Sequence, residues 1–60
     1  MTKREWRNLN ETLAAEAQRA EAEHRWAAAA ACWAALADLR EDKMGSPLRR
    51  RAAECWSRAT

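Results

Sequence analysis

The side chains that could do chemistry are few. The chain has one histidine, His24, and two cysteines, Cys32 and Cys55, among nine carboxylates and eleven Lys or Arg. Covalent catalysis needs a nucleophile within reach of a base, and donors for the developing negative charge. His24 has no cysteine or serine partner at a spacing that suggests such a pair. Gly45 is the only glycine, so no glycine-rich loop can cradle a phosphate. The carboxylates alternate with arginines, as they do along a solvated helix face. His24, Cys32 and Cys55 show no recognised zinc spacing and no fourth ligand. The residues therefore predict neither an enzyme nor a cofactor or metal site. With no C-x-x-C, the cysteines read as reduced, small buried hydrophobes.

Two other constellations remain. In "PLRRRAAECWSR", Arg49, Arg50, Arg51 and Arg58 could neutralise phosphates from a helix. The plainer reading is an exposed basic face that keeps the chain soluble. Residues 44–60 hold four basic side chains against one acidic, yet the whole chain carries only +2, below the excess usual in nucleic-acid binders. The four tryptophans, Trp6, Trp26, Trp33 and Trp56, are core by the commoner fate of aromatics at helical spacing. Tryptophan is also enriched at binding hot spots. With four in so small a chain, at least one is expected to be accessible to a partner.

The elements that must position these residues are helical. Sixteen Ala, five Leu, four Trp, two Met and two Cys make up the apolar set, with no Ile, Val, Phe or Tyr. Strands draw on β-branched and aromatic residues, whereas Ala, Leu, Glu and Arg favour helix. The expectation is one all-α domain over 1–60: a helical hairpin plus a short third helix, about 3–22, 26–42 and 47–58. Thr2 and Glu5 form a capping-box pattern at the start, with Asn10 as a plausible later N-cap. Trp6, Leu9, Leu13, Ala17 and Ala20 then line one face, and Glu21 stands four before Arg25 for helix support. No Gly or Pro marks a turn at 23–25, so a continuous helix over 3–42 stays open, although the apolar pattern changes there and favours a break. Helix 2 bears two apolar stripes, Trp26, Ala29, Ala30, Trp33 and Leu36, and Ala28, Ala31, Cys32, Ala35 and Leu39. That predicts a middle element flanked on both sides or lying at a dimer axis. Gly45 is placed at the C′ position of helix 2, Ser46 as the next N-cap and Pro47 as its first helical residue. Alanine buries little area, so a homodimer or an obligate partner is expected. The apolar run 26–37 is short of the ~20 residues that cross a bilayer. No secretory signal is recognisable, and the expected location is cytoplasmic.

"HRWAAAAACWAAL" is similar to part of a tetratricopeptide repeat, with Trp26, Ala29, Trp33 and Leu36 on its aromatic, small, aromatic and apolar positions. His24 stands where that turn usually has glycine. This implies a helical hairpin, and a single repeat cannot bury its own face. Over roughly residues 13–55 the chain resembles the AraC negative regulator family of small bacterial regulators. Glu23, Trp26, Ala29, Ala30, Trp33, Arg51, Ala52 and Cys55 carry the resemblance at nearly the family's spacing. The family usually has a glycine before the first aromatic, which this chain lacks, and an Asn and a Trp upstream of the Arg-Ala pair, near whose places Met44 and Pro47 stand here. The resemblance implies a virulence or phage regulator, an anti-activator that binds an AraC-type transcription activator through protein–protein contact. Trp26, Ala29, Ala30, Trp33, Arg51 and Cys55 would be its signature. The alternatives are a small DNA-binding repressor acting through Arg49, Arg50, Arg51 and Arg58, and a phage-encoded inhibitor of another host protein.

Overall fold

The computed structural model describes residues 2–40 and 45–59. Within them lie three helices: α1 (Lys3–Ala22), α2 (Trp26–Leu39) and α3 (Gly45–Ala59). The all-α expectation holds, and the chain does break between helices 1 and 2. None of the described helices is long and apolar enough to cross a membrane.

Thr2 starts α1 as its N-cap, its hydroxyl accepting from the Glu5 N–H at 3.2 Å. Asn10 is therefore mid-helix and not a cap. It is buried, and its Nδ2 donates to the Trp6 carbonyl one turn back at 2.7 Å. The helix ends without glycine. The His24 N–H donates to the Glu21 carbonyl (3.0 Å) and the Arg25 N–H to that of Ala20 (2.7 Å), the two bonds of a Schellman ending. His24 takes the left-handed conformation this requires, φ 59°. Its ring stacks on Trp26, centroids 5.6 Å apart. The helix thus turns sharply at a residue that shows no breaker in the sequence.

α2 is the middle element and packs against both α1 and α3. Its first stripe is core: Ala29, Ala30, Trp33 and Leu36 are buried and Trp26 half-buried. The second stripe is not covered in the same way. Ala28, Cys32 and Leu39 are half-buried, but Ala31 and Ala35 are exposed. The reason is geometric. α1 and α3 occupy the two flanks and front of α2, and a three-helix arrangement has nothing left to cover its back.

α2 ends at Leu39, short of the expected 42; residues 41 and 42 lie outside the described ones. The expectation for Gly45 is corrected. It is helical, belongs to α3, and has no positive φ. It is needed for close approach: a Cβ there would stand 2.5 Å from the Arg40 carbonyl oxygen. Ser46 and Pro47 accordingly sit inside the first turn of α3, not at its N-cap and first position. Proline is tolerated there because first-turn N–H groups have no helical acceptor. α3 offers Leu48, Ala52 and Cys55 to the core.

Candidate functional site

One polar group among the described residues is built from one side chain of each helix. Trp33 of α2 is 4% exposed, and a buried indole N–H needs an acceptor. Glu21, in the last turn of α1, supplies it: Trp33 Nε1 donates to Glu21 Oε2 at 2.6 Å. Arg51 of α3 then closes over both. Its Nε donates to Oε2 at 3.0 Å and an Nη to Oε1 at 3.3 Å, a two-pronged grip on the carboxylate. Its guanidinium lies 4.7 Å from the Trp33 ring centroid, within cation–π range.

The electrostatics follow from this geometry. The Arg51 hydrogen bond holds the Glu21 carboxyl below its ordinary range, helped by the Trp33 N–H and opposed by partial burial. Arg51 is correspondingly held more firmly protonated by Glu21. Cys55 lies one turn along α3, 3% exposed, and burial raises its thiol above the usual value, with Glu21 adding to the rise. A protonated buried thiol is a poor nucleophile. Cys32 is half-buried, and both thiols are free.

Five of the six signature residues therefore lie in or against the core. Ala29 and Ala30 are fully covered, Trp33 and Cys55 nearly so, and Trp26 is half-buried. Arg51 is the exposed member, and it faces inward to Glu21 and Trp33. Spacing alone pairs Glu21 with Arg25. That assignment fails because Arg25 lies past the end of α1, where the i,i+4 geometry no longer exists; Arg25 pairs with Glu23 at 3.5 Å. The signal for Glu21 was the buried tryptophan's need for an acceptor, but only the packed helices show which carboxylate answers it.

The basic residues of α3 are distributed over three separate contacts. Arg49 pairs with Asp38 of α2 at 3.0 Å, Arg51 with Glu21, and the Arg58 guanidinium lies 5.0 Å from the Trp26 ring centroid. Arg50 is exposed on the far side of the helix. Three of the four arginines thus have intramolecular partners, and they do not form one stripe.

Besides the exposed alanines on the back of α2, large apolar side chains are left exposed in two places among the described residues. On α1, the apolar face continues past the end of α2. A helix of 20 residues pairs with one of 14, and the overhang leaves Trp6 38% and Leu9 36% exposed. The Arg40 guanidinium lies 5.8 Å from the Trp6 ring centroid. On α3, Trp56 is 52% exposed. No known family pattern, curated protein or solved structure matches the chain.

Proposed function

We propose that this chain is a small regulatory protein that binds an AraC-type transcription activator and lowers its activity by protein–protein contact. The observation that carries the reading is the Trp6–Leu9 overhang of α1. These two large apolar side chains continue the stripe that packs on α2, yet stand beyond its end, where a partner helix or groove can cover them. Amphipathic helices dock by such anchors at i and i+3 or i+4. The signature residues Ala29, Ala30, Trp33 and Cys55 hold the fold, so contact with the activator falls to α1 and to accessible tryptophans. The DNA-binding alternative draws less support, because Arg49, Arg51 and Arg58 already bind Asp38, Glu21 and Trp26.

The test is affinity capture with the tagged chain from nuclease-treated bacterial lysate, read by mass spectrometry. Retention of an AraC-type activator is expected. A Trp6→Ala, Leu9→Ala double variant should lower that retention about tenfold or more, as loss of hot-spot side chains does, with helical circular dichroism unchanged. Retention that depends on intact DNA, or that ignores the double substitution, would refute this reading.

A further inference from the structure

We infer that the cleft between the α1–α2 joint and the end of α3 binds the phosphoryl group of a small phosphate monoester. The inference begins with the space itself, a cleft of about 400 Å³. Three parts of the fold line it: His24 and Arg25 of the joint, Trp26, Ala27 and Ala28 of the first turn of α2, and Arg58 near the end of α3. Among the described residues no carboxylate lines it. The lining is therefore basic and aromatic, and it includes two guanidiniums brought together from separate elements.

The two arginines are available to an anion. Arg58 is held in advance, its guanidinium 5.0 Å from the Trp26 ring centroid. The same indole carries the His24 ring, stacked on it with 13° between the planes. A ring contact fixes a guanidinium without committing its N–H donors to an acceptor atom. Glu21 lies within electrostatic reach of Arg58, but its oxygens already accept from Trp33 and Arg51. Arg25 meets Glu23 at 3.5 Å with both side chains more than half exposed. Exposed pairs of this kind contribute little, so a doubly charged ligand can displace Glu23.

The backbone adds donors to these side chains. The first intrahelical bond at the start of α2 runs from the Ala29 N–H to the Arg25 carbonyl at 2.9 Å. The N–H groups of Trp26, Ala27 and Ala28 precede it, Arg25 supplies no side-chain cap, and no acidic side chain stands in that turn. These groups carry the positive end of the helix dipole, which reinforces the two arginines.

Charge selects the ligand class. Two guanidiniums against one displaceable carboxylate suit a dianion. A phosphate monoester approaches that charge just above neutral pH, whereas a carboxylate or a phosphodiester carries one negative charge. Guanidinium forks also match phosphoryl oxygens in pairs. The cleft leaves room for a small organic group beside the phosphate.

A ³¹P NMR titration of phenyl phosphate with the whole chain, at pH 7.5 and constant ionic strength, tests this. A saturable shift is expected, and dimethyl phosphate, a monoanion, should bind about tenfold more weakly or worse. Arg25→Gln and Arg58→Gln should each weaken binding about tenfold or more, as loss of a charge-assisted hydrogen bond does. Glu23→Gln should tighten it about two- to fivefold, since the competing carboxylate is gone. That gain is one that damage to the fold cannot imitate. Arg50→Gln, on the far side of α3, should leave binding unchanged. Absence of a saturable shift, equal binding of dimethyl phosphate, or an Arg50→Gln loss as large as that of Arg58→Gln overturns the proposal. So does a Glu23→Gln variant that binds no more tightly.

Discussion

Glu21 shows how much one carboxylate can connect in a small core. It accepts from the indole of α2 and the guanidinium of α3 while belonging to α1. Because its folded-state pKa is lowered, mainly by Arg51, its linkage to stability has a definite sign. The stabilisation is complete at neutral pH and declines as pH falls through the ordinary carboxylate value near 4.5. It is gone once pH is below the lowered value in the folded state. Urea unfolding from pH 7 to pH 2 should therefore show an acid loss that Glu21→Gln removes. Glu21→Gln should also lower stability at pH 7 by about 1.5–3 kcal/mol, the range for a hydrogen bond to a charged group. An unchanged acid limb in the variant would show that other carboxylates control acid unfolding.

At the level of elements, the joints are held by exceptions to the usual residue choices. α1 terminates on a left-handed His24 where glycine is the ordinary choice, and α3 begins with a glycine whose φ is not positive. The first costs backbone energy, about 1–2 kcal/mol for a non-glycine residue in this region. The His24 stack on Trp26 offsets part of that, since such ring pairs contribute about 0.5–1.5 kcal/mol. His24→Gly should accordingly stabilise the protein by up to about 1 kcal/mol, while His24→Val should destabilise it, because a β-branched side chain resists positive φ. Chemical denaturation of the two variants checks both signs. Gly45 has a different cause, the Arg40 carbonyl oxygen in its path. This is why a reading based on turn chemistry put it at the end of α2 and not inside α3.

For the whole molecule, Trp33 is the point at which all three helices meet. Nearly every other buried apolar residue is alanine; Leu36 and Cys55 are the larger companions. Replacing a buried tryptophan by alanine costs about 3–5 kcal/mol, comparable to everything a core of this size supplies. Trp33→Ala should therefore lose most of its helical circular dichroism at 25 °C, whereas Trp6→Ala should keep it. A folded Trp33→Ala variant would mean that stability comes from elsewhere, association included. The thin core also explains why α2 is apolar on every side. Its front needs alanine so that α1 and α3 can close over Trp33, and on its back Ala27, Ala31 and Ala35 are left exposed.

Much of this architecture was legible in the sequence. The absence of Ile and Val, the abundance of Ala, Leu, Glu and Arg, and the Thr2–Glu5 cap determine three helices, both limits of α1 and the start of α2, because helix formation depends on local propensity and capping; the end of α2 and both ends of α3 fall one to three residues from the expected positions. The periodicity of Trp26, Ala29, Ala30, Trp33 and Leu36 also marked the core face of α2 correctly. The partners of charged side chains were not legible. Glu21 goes to Trp33 and Arg51, Arg49 to Asp38, and Arg58 to Trp26 across sequence separations from 11 to 32 residues, which follow from how the helices cross and not from spacing along any one of them. The exposure of Ala31 and Trp56 was decided in the same way, since an apolar residue is buried only where another element arrives to cover it.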